Sequence, residues 1–243
     1  MEKQNKFLIF LNSRIFVGLG IIAAAFIGAY TFYQIRSLDN TLTVTGSTTK
    51  QVTSDHVKWV GALNRVVKAS TLKTGYSDLA RDLVFVKEFL KEKNIPDNQI
   101  VVSPIFMDQN YDQPQGSERS YTLRQTIDIN SSDVNAIADV AKNIQPLIEK
   151  GVIFSTQSLE FTYTKLPQER VAMLADAVKD AKSRAASLAE SSGKTVGQLK
   201  NASSGVVQVM SANSNEVSDY GSYDTSKVEK NIMMTVKATF TLK

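Results

Sequence analysis

Residues 119–150 read RSYTLRQTIDINSSDVNAIADVAKNIQPLIEK. The period of this stretch changes halfway. From Arg119 to Asn130, Tyr121, Leu123, Ile127 and Ile129 alternate with Thr122, Arg124, Thr126 and Asp128, which predicts a strand with one wet face. From Val134 the spacing becomes helical, with Ile137, Ala141, Ile144 and Ile148 in one stripe. Ser131 or Ser132 caps this helix, Asp133 lies in its first turn, and Gly151 ends it. A strand with one dry face needs cover on that side, and a helix with one apolar stripe supplies it. The pair therefore predicts an α+β fold: antiparallel sheets packed by helices.

Working outward, the same grammar recurs. Upstream, Thr41–Gly46 is a β-rich run, Ser47–Lys50 reads as a turn, and Gln51–Val67 reads as one long strand bulged near Gly61. A helix follows from Ser70 or Thr71 to about Lys93, with Leu79, Leu83, Val86 and Leu90 in its stripe. Pro96 stops it. Gln99–Met107 is a strand, and Asp108–Glu118 a polar loop. Downstream, Val152–Lys165 is a strand, with Leu159, Phe161 and Tyr163 on one face. Pro167 opens a helix to about Ser191 whose stripe reads Val171, Leu174, Val178, Ala181, Ala185 and Leu188. Its many alanines permit close approach to a sheet or another helix. A strand lies within Val196–Met210, best at Gly205–Met210, and Ser211–Ser226 is a polar loop poor in apolar residues. Lys230–Leu242 alternates again, with Ile232, Met234, Val236, Ala238, Phe240 and Leu242 inward. From the strand at 51–67 to the strand at 152–165 the order is β-α-β-β-α-β, that of ferredoxin-like folds, extended by a long helix and terminal strands.

Ahead of all this stands Ile15–Tyr33, 19 residues without a charge. As a helix it spans roughly 28 Å, close to the hydrocarbon thickness of a bilayer. Lys3, Lys6 and Arg14 precede it and Arg36 alone follows closely, so the positive-inside bias keeps the amino terminus in the cytoplasm. The reading is a cytoplasmic segment 1–14, a transmembrane signal-anchor 15–33, a linker 34–40 and an extracytoplasmic domain 41–243, in or beyond the periplasm. The alternative is a signal peptide cut after Ala29. The patch Phe7–Leu11 either lies along the inner surface or continues the helix.

The formal charge of +4 divides unevenly. Residues 1–36 contribute +3, whereas residues 37–243 hold 24 Lys/Arg against 23 Asp/Glu and add +1. The basicity is topological, and no footprint for nucleic acid is left. There is no cysteine, which excludes disulfides and thiolate chemistry, and the single histidine, His56, cannot build a multi-histidine metal site.

With these elements in place, the chain resembles the SIMPL-domain family of bacterial envelope proteins. The resemblance is carried by LTVTG (42–46), LKEKNIPDNQIVVSPI (90–105), YTLRQTIDINSSDVNAIADVAKNI (121–144), GVIFSTQSLEFTYT (151–164), ASLAESSGKTVGQL (186–199) and VKATFTL (236–242). It covers nearly all of 41–243. Thr53-Ser54-Asp55-His56 departs from the family's common Pro-Asp. The resemblance implies an extracytoplasmic α+β domain, homo-oligomeric assembly (ring-like in one member) and a link to oxidative-stress protection. It implies no catalytic residues.

The residues themselves offer only weak sites. Asp55 and His56 are adjacent, so on a strand they point to opposite faces and do not make a catalytic pair. Asp108, Asp112 and Glu118 share a loop, as do Asp219 and Asp224 with Tyr220 and Tyr223, but neither set has the spacing of a calcium loop. The second loop is a candidate subunit contact. Trp59, Tyr121, Phe161 and Tyr163 are expected in the core rather than on a stacking platform, and of Met233 and Met234 one should face inward. No catalytic, cofactor or metal residue is assigned. The expected function is a non-enzymatic, self-assembling membrane-anchored domain. The alternatives are a module binding a small molecule or peptide, and a hydrolase using His56.

Overall fold

A computed structural model describes residues 2–37, 40–111, 114, 116–214 and 218–243, with side chains except at 2–16 and 36–37. The elements are α1 (Glu2–Ser37), β1 (Thr41–Thr53), β2 (His56–Lys68), α2 (Leu72–Glu92), β3 (Ile100–Val102), β4 (Phe106–Asn110), β5 (Ser120–Ser131), α3 (Val134–Lys142), α4 (Gln145–Glu149), β6 (Phe154–Thr162), α5 (Leu166–Ser191), β7 (Val196–Ser204), β8 (Gln208–Ser211) and β9 (Glu229–Leu242). The class is α+β, with antiparallel sheets. Two compact units divide the chain: unit 1 holds residues 1–48, 174–205 and 235–243, and unit 2 holds 49–173 and 206–234.

Unit 2 contains the predicted ferredoxin-like sheet. Its order is β3-β5-β2-β6, with β4 also on β5, and every pair is antiparallel. The first and second strands of the motif are therefore separated by the third, as a split βαβ requires. The alternation forecast for β5 holds: Leu123, Ile127 and Ile129 are fully buried, and Arg124 lies on the wet face. A bulge does form at the level of Gly61, but on β6 rather than on the strand expected to carry it. Val60 faces Ser158 but Gly61 faces Thr156, so Gln157 is the extra residue. That slip lets Phe154 and Phe161 both reach the core despite their opposite parity. Gly61 makes room, because a Cβ there would overlap the Phe154 ring. Trp59 meets Phe154 edge to face, with centroids 5.8 Å apart, and its indole N–H donates to Thr156 Oγ1 at 3.1 Å.

Four boundaries differ from expectation, each for a local reason. Ser47–Lys50 is not a turn; β1 runs through it, and the chain breaks at Ser54-Asp55 instead. There Ser54 N–H donates to the Val228 carbonyl, and the Asp55 carboxylate accepts from Thr164 N–H at 2.7 Å and its hydroxyl at 3.0 Å. Gln99–Met107 is two strands, because Ser103–Ile105 opposes only Gln125 and Thr126 and Pro104 has no N–H to add to the ladder. The helix after β5 is capped by Asp133, whose carboxylate accepts from Ala136 N–H, and it splits before Pro146. The split shifts the phase, so Leu147 is buried and Ile148 exposed. Finally, 196–210 holds β7 and β8 around a break at Gly205–Val207, rather than one strand best at 205–210.

Unit 1 pairs β9 with β1 and β7 and packs α5 on the sheet. The core here is Val44, Ala177, Ala181, Ala185, Val236, Ala238 and Phe240. Along the whole helix the stripe differs from the expected one: Val171, Leu174 and Leu188 are exposed, while Met173, Ala177, Ala181, Ala185 and Ala189 are buried. The reason is contact distance. A Cβ at Gly46 would collide with the Ala177 carbonyl and the Ala181 amide, so the backbones of β1 and α5 touch directly. Ser47 N–H donates to the Asp180 carboxylate at 2.8 Å, and Arg184 holds that carboxylate at 2.7 Å.

α1 is longer than its apolar stretch: the helix starts at Glu2, so Phe7–Leu11 continues it. Val17–Ile35 is long and apolar enough to cross a membrane, and none of it is buried.

Candidate functional site

The structure gathers a polar cluster in unit 2 around a residue of β9 that the sequence reading did not single out. Ile232 and Met234 face inward, and one step back in the same row stands Lys230. Lys230 is fully buried. Its ammonium donates to the carbonyls of Asp224 and Lys227, the latter at 2.8 Å, and lies 5.8 Å from the centre of the Tyr223 ring. Burial pushes its pKa down, and the Asp224 carboxylate opposes that shift. That carboxylate accepts from Ser226 N–H at 2.7 Å, which holds it below the usual aspartate range.

The loop that Lys230 grips is itself laid against two strands. Val209 N–H donates to the Ser222 carbonyl, and Asp224 N–H donates to the Val209 carbonyl, both at 2.8 Å. Phe161 N–H donates to the Thr225 carbonyl at 2.8 Å, and Tyr163 N–H donates to the Tyr223 hydroxyl at 2.8 Å. The Gln208 carboxamide oxygen accepts from the Ser222 hydroxyl. Residues 222–225 thus occupy the outer edge of β6 and its continuation. Tyr163 extends the cluster: its hydroxyl donates to Glu169, which pairs with Lys50. Burial first, and Glu169 second, raise the Tyr163 pKa, while Lys50 lowers that of Glu169.

The candidates from the sequence scatter. Asp55 is engaged with Thr164, so it does not orient His56. Asp108 lies 3.8 Å from Arg124, and Glu118 accepts from Ser70 N–H at 2.6 Å; Asp112 lies outside the described residues. Among the described residues no three His, Cys, Asp or Glu come together as a metal site. Asp224 and Tyr223 join the lysine cluster, whereas Tyr220 is almost wholly exposed. Trp59, Tyr121 and Phe161 belong to the main core, and Tyr163 packs against a second one. Met234 is buried and Met233 partly so. A groove of about 350 Å³ lies beside the cluster, between Ser211–Asn213 and Lys227–Glu229.

At the opposite edge of the unit 2 sheet, β4 pairs with β5 alone among the described residues. Val101, Phe106, Met107 and Tyr111 are all exposed there, Tyr111 at 83%. A strand edge of this kind offers unpaired backbone groups together with apolar side chains.

The SIMPL model, described as "Protein of unknown function (DUF541)", matches residues 42–240. No curated protein matches the chain. The family match takes in most of the residues after α1, and the chain belongs to the SIMPL family.

Proposed function

We propose that this SIMPL-family chain is a non-enzymatic, membrane-anchored domain, held outside the cytoplasmic membrane by α1, that self-assembles into a homo-oligomer with an envelope or oxidative-stress-related role. The observation that carries the reading is the pairing of an unburied apolar helix with an apolar strand edge. None of Val17–Ile35 is buried, and Val101, Phe106, Met107 and Tyr111 are exposed beside the edge of β4 that no described strand covers. Apolar surface of both kinds favours removal from water, one part into lipid and the other into a protein contact. The engagement of Asp55 by Thr164 supports the non-enzymatic reading, because His56 then lacks the carboxylate that would orient it.

Light scattering on the full-length chain in detergent tests the assembly: a defined oligomer at micromolar concentration is expected, and a strict monomer overturns it. Intact mass of the membrane fraction tests the anchor. A chain lacking everything up to Ala29 would make α1 the remnant of a signal sequence. The second reading is a binding module for a small molecule or peptide, favoured by the groove between Ser211–Asn213 and Lys227–Glu229.

A further inference from the structure

The outer edge of β6 is covered by the chain itself. Phe161 and Tyr163 send their amides outward to Thr225 and Tyr223, and alternation places Leu159 on the same outward row. The cover is short: two backbone hydrogen bonds join it to Val209, Ser222 donates to the Gln208 carboxamide, and Lys230 grips it through the Asp224 carbonyl. Lys230 forms no salt bridge among the described residues; two carbonyls and one aromatic ring lie against its ammonium in place of water, and the Asp224 carboxylate of the same segment favours its charge. Buried charges without a paired charge are costly. Lifting residues 222–225 would take the Asp224 carbonyl, the Asp224 carboxylate and the Tyr223 ring from the ammonium, so the lysine fastens the cover and its removal loosens it.

The direction of the strands says what the bared edge would take. β6 runs antiparallel to β2, β2 to β5, and β5 to β4. β4 and β6 therefore run in opposite directions at the two edges of one sheet. A second copy set edge to edge would place its β4 antiparallel to β6, which continues the pattern without reversing either chain. Such head-to-tail contact is the heterologous kind, which closes rings or grows filaments. The exposed Phe106 and Met107 of that β4 would gain cover in the process.

We propose that residues 222–225 are a releasable strap over β6, locked by Lys230, and that release opens β6 to the β4 edge of a second copy. This rests on the self-assembly reading and specifies its edge. The test compares full-length wild type, Lys230→Met and the exposed control Lys227→Met in detergent, by amide hydrogen exchange and light scattering. In Lys230→Met the amides of Phe161 and Tyr163 exchange at least tenfold faster, those of Leu63 and Ile127 keep their rates, and the assembled mass rises. In Lys227→Met, which keeps its carbonyl for Lys230, neither changes. Unchanged exchange at Phe161 and Tyr163, or equal loss at Leu63 and Ile127, overturns the strap as a separate unit. Tyr223→Phe guards against misfolding of the first variant: it keeps the lock and removes one acceptor, so Tyr163 alone should exchange faster. A released strap without a gain in mass overturns the β6–β4 contact. The wild-type mass then separates the two readings, since an assembled wild type uses another edge and a monomeric one removes self-assembly altogether.

Discussion

In unit 2, α2 meets its sheet through Leu79, Val86, Phe89 and Leu90, while in unit 1, α5 meets its sheet through Ala177, Ala181 and Ala185. The first contact removes much apolar surface per residue and keeps the backbones apart. The second removes little per residue and brings the backbones together, close enough that Gly46 admits no Cβ. The two cores should therefore fail in opposite ways. Unit 2 depends on volume that is present, and unit 1 on volume that is absent.

The largest effect expected from this contrast is in unit 2. Leu63 is fully buried between β5 and β6, opposite Gln125 and Phe154. Leu63→Ala removes packed volume that close neighbours cannot refill, and should cost about 2–5 kcal/mol. Trp59 is the only tryptophan and lies in the same core, so its fluorescence during urea unfolding reads the loss directly. A shift of the midpoint by less than about 1 kcal/mol would mean that this core repacks freely and that the contrast between units is wrong.

Much of unit 2 was legible because its core residues are large. Alternation in β5, the stripe Leu79-Leu83-Val86-Leu90 and the glycine of β2 that faces the bulge of β6 each left a mark in the sequence. The interruptions were harder. Pro104 and Pro146 mark breaks only once the partner strand or the helix phase is known, and the run from β1 to β2 hides its corner because Ser54 and Asp55 act through partners at Val228 and Thr164. Lys230 is the instructive miss. Its parity matched the inward row of β9, but its charge argued for solvent, and only the carbonyls of Asp224 and Lys227 resolve that conflict.

Along α5 the size-weighted stripe misled. The row Met173, Ala177, Ala181, Ala185, Ala189 advances by four residues each time, an inclined ridge of the helix surface rather than a line parallel to its axis. A reading weighted by side-chain size keeps Ala181 and Ala185 but sets them in a stripe with Val171, Leu174, Val178 and Leu188, and leaves out Met173, Ala177 and Ala189. The second prediction follows from the contact that the small row permits. Ala181→Leu forces a larger side chain against the backbone around Gly46, and should destabilise by about 1–3 kcal/mol although it adds apolar surface. Urea unfolding followed by far-ultraviolet circular dichroism measures it. A stabilised variant would show that space exists beneath the helix, which removes the distinction between the two cores.

The smallest effect is the sharpest discriminator between the two stripes of α5. Leu188 belongs to the stripe expected from size, yet it is 53% exposed, while its neighbour Ala189 is buried. Truncating a side chain that already meets water forfeits little transfer free energy and leaves no enclosed void. Alanine also has the higher helix propensity, which offsets part of the loss. Leu188→Ala should therefore stay within about 0.5 kcal/mol of wild type, the range of ordinary surface changes. The same unfolding measurement decides between the stripes. A cost of about 2 kcal/mol or more would place Leu188 in a core and return the helix to the size-weighted stripe. A near-zero value beside a costly Ala181→Leu would leave the alanine row as the surface through which α5 is held.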